Sequence, residues 1–294
     1  MHENTDKIPR KRLGKRPDWL KIKLPSENYS DVFSLLRRSK LHTVCEEAKC
    51  PNMGECWKNR TATVMILGKY CTRSCGFCNV MTRKPIGLDL EEPERVADAI
   101  AELGLRHVVI TSVTRDDLEL GGSEIFSETV RLVKEKRPEC TVEILIPDFK
   151  GKIEAFENIM KNPPDILNHN METVKSIYSK VRPQAEYYRS LELLNWFHEK
   201  GLKTKSGIMV GIGEKPEEVL TLMDDLIKYN CDIMTIGQYL QPSKNHLPVD
   251  RYVDLEEFEM YRVTGLEKGF KMIESSPLVR SSYHADKHAR DIKK

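Results

Sequence analysis

Six strand-like apolar segments, each followed by a segment of helical periodicity, succeed one another from residue 61 onward. The strands are predicted at residues 62–67, 107–111, 142–146, 165–168, 204–210 and 232–236. Repeated strand–helix units imply a parallel sheet with right-handed crossovers. Six units fit an α/β fold of the partial (β/α)6 barrel type, and an open doubly wound sheet is the alternative. In both folds the chemistry is expected at the carboxyl ends of the strands.

Two helix starts are predicted from their capping residues. Ser123 is expected to be the N-cap of one helix, and Asp254 with Glu257 resembles a capping box at the start of the last helix. Both predictions assume that a side-chain oxygen accepts from the free backbone N–H groups of the first helical turn.

The repeat divides the chain into a predicted barrel at residues 61–275, an N-terminal extension at residues 1–60 and a C-terminal tail at residues 276–294. Residues 7–25 form a basic arm with eight Lys or Arg residues and one acid, Asp18. We interpret this arm as a solvated tail or a strap, and docking of an acidic protein is the alternative. No apolar run approaches the roughly 18–20 residues that a membrane span needs, and we find no secretory signal, so a cytoplasmic protein without a membrane anchor is expected.

Six of the eight cysteines lie between Cys45 and Cys78, in two groups of three. A disulfide framework would be typical of a much shorter secreted chain, whereas this tight grouping favours metal. Cys140 and Cys231 stand alone beside apolar segments, and we predict that both are buried core residues.

One group, Cys71, Cys75 and Cys78, directly follows the first predicted strand and therefore lies at the expected catalytic edge. A four-iron cluster normally takes four cysteine ligands, so three leave one iron open to a small molecule. Gly76 eases the tight backbone turn that such binding needs. A zinc knuckle is the alternative, but zinc wants four ligands, and no further Cys or His follows Cys78 at a suitable spacing.

The other group, Cys45, Cys50 and Cys56, precedes the predicted barrel. It also offers three thiolates and has no local fourth ligand. On these residues alone, a zinc site and a second iron–sulfur site both remain open.

The Cys-Thr-Arg-Ser-Cys-Gly-Phe-Cys sequence of residues 71–78 resembles the radical S-adenosylmethionine superfamily. Residues 207–214, Gly-Ile-Met-Val-Gly-Ile-Gly-Glu, are similar to the stretch with which that superfamily contacts adenine. A dinucleotide-binding glycine loop is the alternative, which a missing third glycine disfavours. The resemblance implies that the open iron chelates S-adenosylmethionine, whose C–S bond is then broken by one electron to give a 5′-deoxyadenosyl radical.

Longer stretches resemble the lipoyl synthase family over residues 17–285, although Ser276 stands where that family usually has Gly. The matching stretches are residues 45–57, 113–118 with 121–122, 168–173, 235–243 and 280–285. The resemblance implies that an octanoyl chain on a carrier-domain lysine receives sulfur at C6 and C8, with a second cluster consumed as the sulfur donor. Radical chemistry suits this substrate, because no side-chain base removes a proton from an alkane carbon.

The resemblance also implies two [4Fe–4S] clusters with defined ligands. The catalytic cluster is expected on Cys71, Cys75 and Cys78. The auxiliary cluster is expected on Cys45, Cys50, Cys56 and a tail serine, with Ser282 favoured over Ser281.

Contacts to S-adenosylmethionine follow from the same resemblance, and they are expected from Phe77, Asn170, Glu172, Arg182 and Gly211. Asn170 and Glu172 would meet the ribose hydroxyls, but on the residues alone they equally suit the start of a helix. Arg182 or Arg189 would pair with the methionine carboxylate. His169 is predicted to be a hydrogen-bonded residue of the rim, and we assign no role to residues 115–117.

The implied protein partners are octanoylated lipoyl carrier domains, such as the E2 subunits of 2-oxoacid dehydrogenases and the H protein of glycine cleavage, and a low-potential ferredoxin or flavodoxin. Nucleic acid and membrane are not expected as partners. A methylthiotransferase acting on transfer RNA would need additional domains for which this chain has no room. A biotin-synthase-like enzyme would hold its second cluster inside the barrel, whereas Cys45, Cys50 and Cys56 precede the predicted barrel, which disfavours this alternative. A non-catalytic zinc or ferredoxin-like module is a third alternative. An anaerobic absorption spectrum would test for zinc, because zinc thiolates show no broad visible band.

Overall fold

The computed structural model describes residues 17–20, 29–47, 50, 52–53, 56 and 63–282, so most of the predicted basic arm lies outside the described residues. Ten strands occur in this part: His42–Thr43 (β1), Thr63–Ile66 (β2), Tyr70–Cys71 (β3), Met81–Thr82 (β4), His107–Ser112 (β5), Thr141–Leu145 (β6), Ile166–Asn168 (β7), Lys203–Val210 (β8), Ile233–Gln238 (β9) and Met272–Ser275 (β10). No helix among the described residues is long and apolar enough to cross a membrane.

The helices mostly alternate with these strands. They are Tyr29–Arg38 (α1), Val44–Glu47 (α2), Glu92–Leu103 (α3), Ser123–Lys136 (α4), Ile153–Lys161 (α5), Tyr178–Val181 (α6), Tyr187–Glu199 (α7), Pro216–Lys228 (α8) and Leu255–Lys268 (α9). Short 3₁₀ turns lie at Asp18–Leu20, Phe149–Gly151 and Lys175–Ile177.

One sheet contains eight of the strands in the order β1-β2-β5-β6-β7-β8-β9-β10, and β3 pairs separately with β4. Only β1 runs antiparallel to its neighbour, and all later pairs in the large sheet are parallel. Because spatial order follows chain order, right-handed crossovers place the helices on one face, as in a barrel that is left open. The six predicted units are therefore confirmed, and the doubly wound alternative, whose strand order reverses, is wrong.

Local sequence explains why these elements form where they do. Strand β5 is rich in Val and Ile, and five of its six residues are buried, as expected for a parallel strand covered on both faces. Helix α3 has Pro93 in its first turn and ends at Gly104, whose φ of 61° suits glycine. Cys140 and Cys231 are each about 3% exposed, which confirms the prediction that they are core residues.

The two predicted helix caps are not formed by side chains. Ser123 is the first helical residue of α4, and Gly122, with φ of 81°, takes the cap position, so that prediction is wrong. Helix α9 does follow Asp254, but the side chain of Asp254 makes no cap hydrogen bond. The Glu257 carboxylate instead accepts two hydrogen bonds of 2.7 Å from the Arg251 guanidinium.

Candidate active site

We call residues 71–78 the cysteine loop. It follows the carboxyl end of β2, starts at the last residue of β3 and leads towards β4. Gly76 N–H donates to the Val181 carbonyl at 2.9 Å, and Leu247 N–H donates to the Gly76 carbonyl at 2.9 Å. A Cβ atom at Gly76 would lie 2.7 Å from the Leu247 side chain, so any larger residue would force that side chain to move. Segments that follow other strands of the sheet therefore fix the conformation of this loop.

The sulfur of Cys71 lies among backbone donors. It accepts from the N–H groups of Arg73 and Thr114, with N to Sγ distances of 3.4 and 3.3 Å. Hydrogen bonds of this kind stabilise a thiolate and are one means by which a protein tunes the potential of an iron–sulfur cluster. The geometry thus suits a thiolate ligand at Cys71.

The pKa values of the two other thiols in the cysteine loop are both raised. Burial raises the pKa of Cys75, and burial raises the pKa of Cys78 to about 12. Both thiols are therefore protonated at neutral pH before they bind metal. Iron must displace these protons, so cluster binding releases protons to solvent.

Arg73 anchors the cysteine loop through a buried network of charges. Its guanidinium donates to both carboxylate oxygens of Asp116, at 2.7 and 2.9 Å, and to Asp148 at 2.6 Å. Asp148 is fully buried and also accepts from Arg189 Nε at 2.9 Å. Burial alone would raise the pKa of Asp148, but the hydrogen bond and charge of Arg73 outweigh it and hold that pKa well below its usual range. Arg73 and Arg189 thus share the buried carboxylate of Asp148 next to the loop.

We expect Arg73→Ala to lower the free energy of unfolding by about 3–5 kcal/mol, because it removes one partner of a buried carboxylate, that of Asp148. The matched control is Arg95→Ala, whose partner Asp89 is 55% exposed, and its cost should stay below about 1 kcal/mol. Urea unfolding of the anaerobically purified proteins measures both changes. Equal losses in the two variants would contradict the anchoring role of Arg73.

Asn170 and Arg182 meet just beyond β7. Arg182 Nη1 donates to the Asn170 carbonyl at 2.7 Å and to the Tyr178 hydroxyl at 2.6 Å. Asn170 Nδ2 donates to Glu172 at 3.0 Å, while the buried Oδ1 of Asn170 has no hydrogen-bond partner among the described residues. A buried acceptor of this kind is a suitable place for a donor group of a bound molecule.

Glu172 has a strained backbone. Its φ is 66°, in the left-handed region that costs a residue other than glycine about 1 kcal/mol or more. Two backbone hydrogen bonds hold it there, one from Glu172 N–H to the Gly207 carbonyl at 2.9 Å and one from Met209 N–H to the Glu172 carbonyl at 3.0 Å. Strain that neighbours enforce is typical of functional sites.

Of the two arginines predicted to pair with the methionine carboxylate, Arg182 lies beside Asn170, whereas Arg189 is bound by carboxylates elsewhere. Val181, the residue before Arg182, accepts the hydrogen bond of Gly76 N–H at 2.9 Å, so the chain at Arg182 adjoins the cysteine loop. The positive charge of Arg182 opposes the rise that burial causes in the pKa values of Cys75 and Glu172. Arg189 is bound by Asp148 and by Glu186, the latter at 2.6 Å. The structure therefore places Arg189 in the anchoring network beneath the loop.

Two further predicted contact residues lie on the same edge. Phe77 packs against Val181, Ile212 and Tyr239 in a small apolar cluster. Gly211 has φ of 85°, and a Cβ atom there would lie 2.3 Å from the side-chain nitrogen of Gln238, so close packing requires this glycine.

The glycine-rich turn after β8 binds its own carboxylate. The N–H groups of Gly211, Ile212 and Gly213 donate to Glu214 at 2.6, 3.0 and 3.2 Å. A dinucleotide phosphate would need free backbone donors of this kind. Because Glu214 already occupies them, the arrangement disfavours the dinucleotide-binding alternative.

One cavity is lined both by the N-terminal cysteines and by the C-terminal tail. Its lining residues are Cys45, Cys50, Asn52, Cys56, Thr63, Arg280 and Ser282. Burial raises the pKa of Cys50, and the positive charge of Arg280 opposes that shift. Three cysteines and one serine therefore line one space, together with Arg280, a cation suited to an anionic group.

The tail is fastened over this cavity by backbone contacts. Asn52 Nδ2 donates to the Leu278 carbonyl at 2.6 Å, and Gln238 N–H donates to the Pro277 carbonyl at 3.1 Å. A Cβ atom at Gly237 would lie 2.1 Å from the Val279 oxygen, so the tail crosses β9 in direct contact. These contacts bring sequence-distant residues to the same cavity.

Several site residues were not predicted. Arg280, Asn52 and Thr63 line the cavity. Arg280 and Asn52 lie in the family-like stretches 280–285 and 45–57, but no role was predicted for any of the three. Asp116 belongs to a triplet that the sequence singles out without a role, and the structure makes it a partner of Arg73. His169 is confirmed as a hydrogen-bonded residue, since its Nδ1 lies 2.8 Å from the Ile146 carbonyl and its Nε2 lies 3.0 Å from Ser190 Oγ.

Comparisons with known proteins agree with this geometry. The Radical SAM superfamily profile matches residues 65–226, and the profile for the N-terminal domain of lipoyl synthase matches residues 2–50. Together with the fold and the cysteine loop, these matches define a radical S-adenosylmethionine protein. Lipoyl synthase of Rubrobacter xylanophilus is 54% identical over 95% of this chain and 88% of its own length, and that of Bacteroides fragilis is 52% identical over 94% and 96%. The chain belongs to the lipoyl synthase family.

Solved structures show the fold alone. The Streptococcus suis protein SuiB, bound to S-adenosylmethionine, gives a TM-score of 0.58 at 15% identity and covers 87% of this chain and 58% of its own. Methylornithine synthase gives a TM-score of 0.50 at 18% identity, with 88% of this chain and 87% of that chain covered. Family membership implies S-adenosylmethionine and two [4Fe–4S] clusters as cofactors of this chain. The donor sets described above, two groups of three thiols, are of the type that such clusters take.

Proposed function

We propose that this protein is an enzyme that inserts two sulfur atoms, at C6 and C8, into an octanoyl group carried on a lysine of a lipoyl carrier domain. The observation that carries the proposal is the pair of three-cysteine groups, one in a loop at the carboxyl edge of the sheet and one in a cavity closed by the tail. When bound, the clusters and S-adenosylmethionine supply the radical that removes hydrogen from an unactivated carbon and the sulfur that replaces it.

Cys71, Cys75 and Cys78 would hold the catalytic cluster. The backbone donors around Cys71 and the charge network of Arg73, Asp116 and Asp148 would hold the cysteine loop in place before the cluster binds. Three thiolates satisfy three irons and leave the fourth for a small molecule.

Five residues would contact S-adenosylmethionine: Phe77, Asn170, Glu172, Arg182 and Gly211. The guanidinium of Arg182 suits a carboxylate, and the carbonyl of the neighbouring Val181 accepts from Gly76 of the cysteine loop at 2.9 Å. The unpartnered oxygen of Asn170 and the carboxylate of Glu172 suit hydroxyl donors such as those of ribose.

Cys45, Cys50, Cys56 and Ser282 would hold the auxiliary cluster. Support comes from the cavity that all four line, whereas Ser281 does not line it. On this proposal the chain has an N-terminal part at residues 1–60, a barrel at residues 61–275 and a closing tail at residues 276–294.

The proposed protein partners are octanoylated lipoyl carrier domains and a low-potential electron donor. We place the enzyme in the cytoplasm, because oxygen-sensitive thiolate clusters suit a reducing compartment. The test is anaerobic incubation with an octanoylated carrier domain, S-adenosylmethionine and a reductant. Mass spectrometry should show two sulfurs added to the carrier, and an unchanged carrier would overturn the proposal.

We expect the anaerobically reconstituted protein to bind about eight irons and eight sulfides per chain, because two cubic clusters need that number. A protein in which Cys45, Cys50 and Cys56 are all changed to Ala should retain about half. Iron and labile sulfide analysis measures both values. One zinc per chain without labile sulfide would contradict the prediction.

A further inference from the structure

An exposed strip lies beside the cysteine loop. We call residues 69–70 and 81–86 the β3–β4 strip, after the two short strands whose pairing joins Tyr70 to Met81. Met81 and Ile86 are 58% and 83% exposed, so large apolar side chains face water here. Scattered apolar residues are ordinary on a surface, but these two lie within one short segment and among cations.

The strip carries an excess of positive charge. Lys69, Arg83 and Lys84 are all exposed, and both Lys69 and Arg83 lie over the ring of Tyr70. The carboxylate of Asp117 is already paired with the Arg115 guanidinium at 2.9 Å, which lowers its pKa, and the charge of Lys84 helps to lower that pKa. Apolar and basic side chains at one place form a surface complementary to an acidic protein.

The position of the strip next to the cysteine loop indicates which acidic protein would bind it. Strand β4 pairs Thr82 with Cys71, so the strip lies directly against the backbone of a proposed ligand of the catalytic cluster. Resting on the function proposed above, we propose that the strip docks an acidic one-electron donor protein of the ferredoxin or flavodoxin class. The donor would lose one electron and be oxidised. Through the catalytic cluster, that electron would reduce S-adenosylmethionine, whose C–S bond would break to give methionine and a 5′-deoxyadenosyl radical.

The surface suits that kind of encounter. Electron-transfer partners bind through small, transient interfaces, in which charge complementarity chiefly raises the rate of association. A few exposed apolar side chains surrounded by cations match this description, whereas a permanent interface would need a larger apolar area. The interaction should therefore depend strongly on ionic strength.

The test compares two reductants on the same proteins. The variant carries Lys69→Glu and Lys84→Glu, and the matched control carries Lys200→Glu and Lys228→Glu, which reverse two exposed charges where α7 and α8 end, at the opposite edge of the sheet. Formation of 5′-deoxyadenosine is measured with dithionite and with a reduced acidic ferredoxin. With ferredoxin at low salt, the strip variant should be at least about tenfold slower than the control, and the difference should shrink as salt rises. With dithionite, the two should be equal.

The other outcomes are distinct. No 5′-deoxyadenosine from the unmodified protein with dithionite would overturn the proposed function itself. Equal rates of the two variants with ferredoxin, or equal loss with both reductants in the strip variant, would overturn the docking proposal alone. A raised KM of the strip variant for the octanoylated carrier under dithionite would also overturn it, since the strip would then bind the carrier.

Discussion

A Cys75→Ala protein should form no measurable 5′-deoxyadenosine, whereas a Cys50→Ala protein should still form it and yet produce no lipoyl group. The expectation follows from the separate positions of the two cysteine groups. Cys75 belongs to the loop that adjoins Arg182, and Cys50 lines the cavity beneath the tail. Removing Cys75 would leave the catalytic cluster with two protein ligands, and removing Cys50 would leave the auxiliary cluster with two thiolates and Ser282, whereas such clusters normally take four cysteine ligands.

The measurement is anaerobic turnover with dithionite, in which 5′-deoxyadenosine and the modified carrier are quantified from the same sample. Cys140→Ala is the matched control, because Cys140 is a buried cysteine that lies in neither group, and it should retain both products. Iron analysis shows how many irons each variant has kept, and the formation of 5′-deoxyadenosine shows whether the catalytic cluster is among them. Sulfur insertion by Cys50→Ala, or 5′-deoxyadenosine from Cys75→Ala, would contradict the assignment.

The fold could be predicted where the signal is local. Strand β5 contains a run of Val and Ile that is visible without knowledge of its neighbours, whereas β8 begins Lys-Thr-Lys-Ser and is apolar only towards its end. The place of the site followed from the same pattern, because parallel strands bring the residues after their carboxyl ends together. The cysteine loop, Asn170 and Glu172 lie at that edge for this reason.

Edge strands and helix caps were not predictable in the same way. Strand β10 reads Met-Ile-Glu-Ser, which has no apolar run, and it forms because it pairs with β9. Glu257 has the spacing of a capping residue, but Arg251 offers its carboxylate two charge-assisted hydrogen bonds, which are stronger than one bond to a backbone N–H. Tertiary partners thus override a local preference.

The charge network shows the same limit within the site. Arg73 stands in the middle of the cysteine motif, yet its partners Asp116 and Asp148 are 43 and 75 residues further along the chain. Sequence patterns identify a metal-binding triplet from its spacing, but they do not identify which distant carboxylates hold the loop. The hydrogen bonding of His169 was easier to predict, because its partners are a backbone carbonyl and a hydroxyl group. Burial lowers the pKa of His169 to about 3 and keeps the ring neutral.

Ser282→Ala should keep the formation of 5′-deoxyadenosine but lose most of the lipoyl product. Ser282 lines the cavity of Cys45, Cys50 and Cys56, which supply only three ligands for the auxiliary cluster. An alkoxide is a harder ligand than a thiolate, so it should bind cluster iron less firmly and leave more readily. Departure of this ligand would open one iron and allow the cluster to lose sulfur to the substrate radical.

Ser281→Ala is the matched control, since it changes the neighbouring serine, which does not line the cavity, and it should retain full activity. Ser282→Cys should bind the normal amount of iron yet donate sulfur poorly, because a fourth thiolate holds that iron more firmly. Iron content and single-turnover product analysis separate these cases. Activity lost in Ser281→Ala and kept in Ser282→Ala would move the ligand by one residue, and full activity in both Ala variants would remove serine from the mechanism. The combination of retained iron and lost sulfur transfer in Ser282→Cys is the most specific outcome, because it requires a ligand that must leave rather than one that merely holds the cluster.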